Sequence, residues 1–206
     1  MIATNPLPII AIDPGSSESA IVILDPRGTP SIEAFRFLPN HQVLASLRDP
    51  DNLRAYRPCT LAIETPRARG QLASNDLFTT CVWIGRYLGA WDEDASAVHV
   101  DRHGIKVALL GTGAGSDSNV RQALVDRFGG SAALRDREKC MACKGRGKAG
   151  RPSLICAACA GDGRVGEPGV LHGISHHGWA ALAVAVFVAE QQGSMRAPAL
   201  VPAGGA

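Results

Sequence analysis

Residues 9–17 read IIAIDPGSS, a run of apolar and β-branched residues that ends in Asp13 and is followed at once by Pro-Gly. This pattern predicts a buried strand that ends in a sharp turn, with the Asp13 carboxylate exposed at its tip. The arrangement recurs at residues 60–66, TLAIETP, where Glu64 takes the corresponding place. If the strands are neighbours in one sheet, the carboxylates converge, and Mg²⁺ or Mn²⁺ would relieve their repulsion. The alternative is that each acid only caps its own turn.

The bulk composition is that of a folded globular chain. Its 206 residues are 46% hydrophobic and 19% charged, enough for one α/β core with a small accessory module. The longest apolar run, residues 179–189, is well short of the ~20 residues that a membrane span needs, and it predicts a buried helix. The start of the chain lacks the basic segment and cleavage site of a secretory signal. We therefore expect a cytoplasmic protein with no membrane partner.

Strand and helix patterns follow one another in the order of an α/β fold. Strands are predicted at 8–14, 20–25, 31–35, 61–64 and 98–100, a further short segment at 105–110, and helices at 41–55, 71–91, 119–128 and from about 175 to 192. This layout is compatible with a ribonuclease H-like core, a mixed sheet flanked by helices. We assign residues 1–134 and 168–195 to that core, 135–167 to an insert, and 196–206, rich in Pro, Ala and Gly, to a disordered tail.

The insert contains two copies of CxxCxGxG, with twelve residues between the two cysteine pairs. Four thiolates held by such turns make a closed tetrahedral Zn²⁺ site, which is structural rather than catalytic. The alternative is free or disulfide-bonded cysteines without a metal. The motif resembles the zinc module of DnaJ-type chaperones, and that resemblance indicates a metal-stapled ribbon without chaperone function. The predicted zinc ligands are Cys140, Cys143, Cys156 and Cys159, whereas the two other cysteines, Cys59 and Cys81, are predicted core residues.

Positive charge is concentrated in the insert. Residues 135–166 carry eight Lys or Arg against three acids, a net charge of +5, although the whole chain carries only +2. A basic module attached to a mildly acidic core suits a protein that acts on a polyanion. The basic residues predicted to dock on a phosphate backbone are Lys144, Arg146, Lys148 and Arg151. The alternatives are that the insert only staples a long loop or mediates a dimer contact.

With these motifs placed, the chain resembles the RuvC family of Holliday-junction resolvases over most of residues 8–130 and 172–191. Asp13 with its Pro-Gly, and Glu64 at its strand end, match the first two acidic motifs of the family. The resemblance implies a ribonuclease H-like fold and a homodimer that nicks a four-way DNA junction symmetrically. It also implies that two Mg²⁺ or Mn²⁺ ions are held at each active site.

Two further segments carry the resemblance. After the second acid, the family has a loop that probes the junction centre and a long helix that lines the dimer interface, so Arg67 and Arg69 are expected to contact DNA. Residues 105–113, IKVALLGTG, resemble the VKxxxxGxG stretch of the family, in which Lys106 corresponds to a phosphate-contacting lysine. Asp117 stands where the family commonly places a lysine.

The last family motif departs from the pattern in one place. It reads HGWAALA from His177, and positions three apart lie on one helical face. His177 can serve as a metal ligand or as a base, whereas Ala180 stands where an aspartate is expected and cannot bind a metal. Either the site is a natural divergent one that uses Asp13, Glu64 and His177, or the chain is an engineered Asp→Ala form that is catalytically disabled.

The sequence therefore predicts a Mg²⁺-dependent structure-specific endonuclease, a crossover junction endodeoxyribonuclease, with one structural zinc. Its catalytic positions would be Asp13, Glu64, His177 and position 180. A second hypothesis is a non-catalytic branched-DNA binding protein of the same fold. A third is an actin-like sugar kinase or ATPase, because an Asp-x-Gly turn also holds nucleotide phosphates, but that fold needs further loops and a longer chain.

Overall fold

The computed structural model describes residues 6–49, 51, 58–67, 73–91, 97–149 and 154–195. The chain divides into two compact units, one formed by Met1–Arg127 with Ile174–Ala206 and the other by Phe128–Gly173. The insert predicted at 135–167 lies within the bounds of the second unit. The tail predicted to be disordered, 196–206, lies outside the described residues.

The first unit is built on a five-stranded mixed sheet. Its strands are β1 (Ile9–Pro14), β2 (Glu18–Asp25), β3 (Ser31–Pro39), β4 (Thr60–Glu64) and β5 (Val98–Val100), in the order β3-β2-β1-β4-β5. The first three strands pair antiparallel, and β4 and β5 continue the sheet parallel to β1. This mixed α/β sheet flanked by helices confirms the predicted fold class.

Helices cover both faces of this sheet. They are α1 (Asn40–Arg48), α2 (Asn75–Ala90), α3 (Arg102–Leu110), α4 (Asp117–Arg127) and α5 (Gly178–Gln191). Side chains of β1 and β4 such as Ile12 and Ile63 pack in one cluster with Val43 of α1 and Tyr87 of α2. The buried helix α5 contacts β1, β2 and β4, and α3 and α4 pack beside it. Since successive strand residues point to opposite faces, Asp13 and Glu64 point to the α5 side.

Several sequence-based bounds were wrong. Helix α1 ends at Arg48 rather than at residue 55, and Asp49 is extended, as expected for a residue before a proline. The 105–110 segment is part of the longer helix α3, and the last helix begins at Gly178 rather than near residue 175. Cys59 packs against the core as predicted, but Cys81 on α2 is exposed.

The second unit is small and is organised around its cysteines. A 3₁₀ helix (Gly130–Leu134) precedes four two-residue strands: β6 (Glu138–Lys139), β7 (Lys148–Ala149), β8 (Leu154–Ile155) and β9 (Arg164–Val165). β6 pairs antiparallel with β9, and β7 with β8. Such short ladders cannot support a fold by themselves, so this unit depends on its cysteine cluster for stability. Among the described residues, none of the helices combines the length and apolar character that crossing a bilayer requires.

Candidate functional site

Asp13 and Glu64 lie side by side at the carboxyl ends of two neighbouring parallel strands. The register pairs Ile12 of β1 with Ile63 of β4, so the next residue along each strand is one of the two acids. Burial raises the pKa of Glu64 to about 7, although the Arg102 guanidinium opposes the shift. Burial likewise raises the pKa of Asp13, against the opposing influence of His177 and Arg102. Partly desolvated carboxylates at this edge gain from any cation placed between them.

A buried hydrogen-bond network fixes the turn that follows Asp13. The Ser19 hydroxyl donates to Asn40 Oδ1 at 2.7 Å and lies 3.1 Å from the Tyr87 hydroxyl, while Asn40 Nδ2 donates to the Gly15 carbonyl at 2.9 Å. A Cβ on Gly15 would lie 2.4 Å from the Glu18 carbonyl oxygen, so the turn needs glycine there. Sequence reasoning missed this network, because its three polar side chains come from separate segments of the chain.

His177 reaches the acidic pair from the start of α5. Its Nδ1 lies 3.2 Å from Asp13 Oδ2, and its ring stacks on Phe37 of β3 with centroids 5.6 Å apart and an interplanar angle of 6°. Helix α5 can begin this close to β3 only because residue 178 is glycine, since a Cβ there would lie 2.4 Å from the Phe35 ring. Ala180 follows on the same helix and lines a cavity of about 270 Å³ together with His177.

Cationic side chains face the acids from α3, which starts directly after β5. Arg102 Nη1 lies 3.2 Å from Glu64 Oε2, and Arg102 Nη2 lies 2.9 Å from Oδ1 of Asp117, the first residue of α4. Lys106 Nζ approaches the same Asp117 oxygen at 3.4 Å. Burial alone would raise the pKa of Asp117, but the hydrogen bonds and charges of Arg102 and Lys106 outweigh it and lower that pKa. The edge is therefore a network of alternating charges.

Sequence reasoning did not identify Arg102, and it noted Asp117 only as a departure from a family pattern. The available signal for Arg102 was its place just after the third parallel strand, because ligand-contacting residues gather at carboxyl strand ends. The long-range charge network of Arg102 with Glu64 and Asp117 depends on tertiary packing that no local pattern encodes.

The residues predicted to bind DNA fall into separate groups. Arg67 and Lys106 line a cavity of about 200 Å³ with Glu64 and Arg102, and Arg67 Nη2 lies 3.3 Å from Asp101 Oδ2. Lys144, Arg146 and Lys148 belong to the second unit. Arg69 and Arg151 lie outside the described residues.

In the second unit, the four predicted zinc ligands come together. The ligand atoms of Cys140, Cys143, Cys156 and Cys159 all lie within 4.8 Å of one another, and all four cysteines are buried and free of disulfides. Sulphur separations are 3.9 Å for Cys140–Cys156 and 3.7 Å for Cys143–Cys159. A tetrahedral ion with Zn–S bonds of about 2.3 Å requires sulphurs about 3.8 Å apart. This cluster could hold a zinc ion.

The two CxxCxGxG motifs form matching turns around the sulphurs. Gly147 N donates to Cys143 Sγ at 3.3 Å, and Gly163 N donates to Cys159 Sγ at 3.2 Å. Both glycines have positive φ, and a Cβ on Gly147 would lie 2.0 Å from the Gly161 carbonyl oxygen. Glycine is thus needed for the turn, and the turn directs backbone N–H groups at the sulphurs, where they stabilise thiolates.

Comparisons with known proteins support the fold. Neither protein-family models nor curated protein sequences gave a match to this chain. Among solved structures, the chain is similar to Thermus thermophilus RuvC, with a TM-score of 0.58 and 15% identity over 92% of this chain and 99% of that one. It is similar to T. thermophilus RuvC in complex with a Holliday junction substrate at the same TM-score, with 17% identity over 92% of this chain and 98% of the other. The chain therefore has a RuvC-like, ribonuclease H-like fold.

Proposed function

We propose that this chain is a divalent-metal-dependent endonuclease that resolves four-way DNA junctions by symmetric nicking. The observation that carries the proposal is the pairing of Asp13 with Glu64 at adjacent strand ends, on the side covered by α5. The similar T. thermophilus RuvC has been solved in complex with a Holliday junction substrate. If this chain is a nuclease, its active site would lie where Asp13 and Glu64 meet at the strand ends.

The donor set at this edge suits Mg²⁺ or Mn²⁺. Asp13, Glu64 and His177 offer carboxylate oxygens and an imidazole nitrogen, and hard divalent ions prefer oxygen ligands. Two such ions would supply an activated water and charge stabilisation for the departing oxygen. His177 hydrogen-bonds to Asp13 through Nδ1, so its other ring nitrogen is available either to bind a metal ion or to accept a proton. Lys106 and Arg67 border the cavity beside Glu64 and would orient the phosphodiester.

Symmetric nicking requires two active sites, and we propose a homodimer. An apolar strip on α2 supports it, since Phe78 is 61% exposed and Val82 is 54% exposed one helical turn later. Large apolar side chains in this arrangement favour a second copy of the same helix as their partner.

We further propose one structural Zn²⁺ per chain in the four-cysteine cluster, with the basic residues of the second unit docking on DNA. The sulphur separations of 3.7 and 3.9 Å support the zinc. Lys144 lies on one of the two cysteine turns and is exposed, so its ammonium group is accessible to a phosphate.

One observation favours a second candidate, a branched-DNA binding protein that does not cut. Ala180 offers no ligand atom at a position that lines the cavity beside His177. If the metal site is incomplete, binding would persist, because it depends on basic residues and shape rather than on the acids.

The deciding experiment compares cleavage of a labelled four-way junction and of a linear duplex with Mg²⁺ or Mn²⁺. The samples are this chain, Ala180→Asp, Glu64→Gln and, as a matched control, Glu33→Gln on the exposed face of β3. We expect junction-selective paired nicks from this chain or from Ala180→Asp. The Glu64→Gln change should lower the rate about a hundredfold to a thousandfold, because it removes a charged ligand of the metal that would stabilise the developing charge, whereas Glu33→Gln should not. Junction binding without cutting by both this chain and Ala180→Asp would establish the binding protein instead.

A further inference from the structure

Asp117 lines the cavity that also contains position 180, where the expected carboxylate is absent. It is the first residue of α4, and it lines the same cavity as His177 and Ala180. Among the described residues that line this cavity, Asp117 carries the one carboxylate. Its side chain is 71% exposed, so it has room to turn toward the sheet edge without breaking core packing.

The Arg102 side chain bridges Asp117 and Glu64. The Arg102 guanidinium contacts Glu64 Oε2 at 3.2 Å through Nη1 and Asp117 Oδ1 at 2.9 Å through Nη2. The guanidinium therefore connects two carboxylates that belong to separate elements, β4 and α4. Two carboxylates that share one guanidinium lie close enough for the space between them to favour positive charge.

The negative charge of Asp117 acts on both Asp13 and Glu64, the acids at the ends of β1 and β4. Burial is the main cause of the raised pKa values of Asp13 and Glu64, and the charge of Asp117 adds to both shifts. Like charges affect each other in this way only when they are close and poorly screened. Asp117 thus belongs to the same electrostatic cluster as the acids of β1 and β4.

We propose that Asp117 is the third carboxylate of the metal centre, completing it with Asp13, Glu64 and His177, so that Ala180 is a natural residue of a rearranged site. This inference rests on the proposed function, because it assigns a ligand to the metal centre of that function. Arg102 then acts as an internal counter-ion that holds Asp117 toward Glu64 while the centre is free of metal. Cleavage would need no acid at position 180.

The test measures Mn²⁺ binding to the full chain by titration calorimetry, in the absence of DNA. The variants are Asp117→Asn, the double variant Asp117→Asn with Ala180→Asp, and Asp126→Asn. Asparagine keeps an oxygen for the hydrogen bond to Arg102 but removes the charge. Asp126 is the matched control, because it lies on the same helix and is exposed, and its contact is with Gln122 at 2.8 Å. Far-ultraviolet circular dichroism establishes that each variant is folded.

We expect Asp117→Asn to weaken Mn²⁺ binding about tenfold or more, since even changes one shell beyond a metal ligand cost that much. Asp126→Asn should bind Mn²⁺ as this chain does, and adding Ala180→Asp to Asp117→Asn should restore affinity. Unchanged Mn²⁺ affinity in folded Asp117→Asn overturns the inference. Loss of Mn²⁺ binding in Asp117→Asn, with no junction cleavage by any variant, would support Asp117 as a ligand while overturning the nuclease function.

Discussion

The acidic edge of the five-stranded sheet and the four-cysteine cluster both gather side chains that suit a cation, but they are assembled in different ways. The cysteines come from two short motifs, and two of their sulphur pairs lie at the separation that a tetrahedral ion requires. The acidic edge draws Asp13, Glu64, Asp117 and His177 from four separate elements. Soft thiolates in a closed cluster suit a structural ion, whereas hard oxygens at an open edge suit an ion that must also meet substrate.

The two sites therefore differ in how much sequence change they can tolerate. The cysteine cluster has little freedom, because one glycine of each motif, Gly147 or Gly163, is confined by backbone atoms of the opposite turn. The acidic edge is held by ion pairs between exposed or half-buried side chains, such as Arg102 with Asp117. At the acidic edge, a residue on a neighbouring helix can therefore take over the role of a ligand. In the cysteine cluster, the loss of any one cysteine removes the site.

The largest effect should follow the loss of one thiolate. We expect Cys143→Ser to abolish stoichiometric zinc and unfold the second unit, because zinc binding in small modules contributes about 10–16 kcal/mol to folding. Zinc content by mass spectrometry and amide exchange across residues 138–165 measure this. Cys81→Ser is the matched control, since Cys81 is an exposed cysteine outside the cluster. Native exchange in zinc-free protein would mean that the cysteine cluster is dispensable.

A smaller effect is expected from the charge of Glu64 itself. Its folded-state pKa is raised from 4.5 to about 7, so the folded state binds the proton more tightly than the unfolded state does. In metal-free protein, stability should therefore fall as pH rises through this window. Glu64→Gln should be more stable than this chain at pH 8, by up to about 3 kcal/mol, and about equally stable at pH 4.

Urea unfolding at both pH values, with a chelator present, measures the effect of Glu64→Gln. Glu33→Gln serves as the exposed control and should show no such pH dependence. If Glu64→Gln is the less stable protein at pH 8, the Arg102 ion pair outweighs the burial cost of the carboxylate. The acidic edge would then be a stabilising feature of the metal-free fold, as the cysteine cluster is of the metal-bound one.

The smallest effect concerns the second unit as a DNA contact. We expect Lys144→Gln to weaken junction binding several-fold and to reduce the slope of log affinity against log salt by about one. Fluorescence anisotropy across a salt series measures the slope. Arg48→Gln, at the exposed end of α1, is the control. If the slope is unchanged for Lys144→Gln, this lysine does not contact DNA. The second unit would then serve only to staple a long loop.

Features that depend on a short stretch of sequence could be predicted, whereas features that depend on tertiary packing could not. The strand ends at Asp13 and Glu64 and the four-cysteine cluster were predictable because each depends on a few consecutive residues. Helix α1 was predicted too long because the restriction that Pro50 imposes on the residue before it was not applied. Cys81 was predicted to be buried from its apolar neighbours, but it lies on the same exposed face of α2 as Phe78 and Val82.

The contacts that complete the acidic edge could not be predicted. Arg102 meets Glu64 only because β5 lies beside β4, and Asp117 meets Arg102 only because α4 packs against α3. Asn40 is nearly fully buried, an unusual place for an amide, because Gly15 and Ser19 satisfy it. Burial of polar groups follows from the tertiary partners available to them, and these are invisible to local patterns.

The buried Ser19–Asn40–Tyr87 network makes one half of the acidic edge far stiffer than the other. It joins the turn after Asp13 to α1 and α2 on the far face of the sheet, so Asp13 can shift only if several satisfied buried hydrogen bonds break together. His177 and Asp117 are 65% and 71% exposed and can follow a moving ligand. On the proposed function, Asp13 would fix the position of the reacting phosphate with little reorganisation, while the helix side chains adapt as the arms of a junction change their angle.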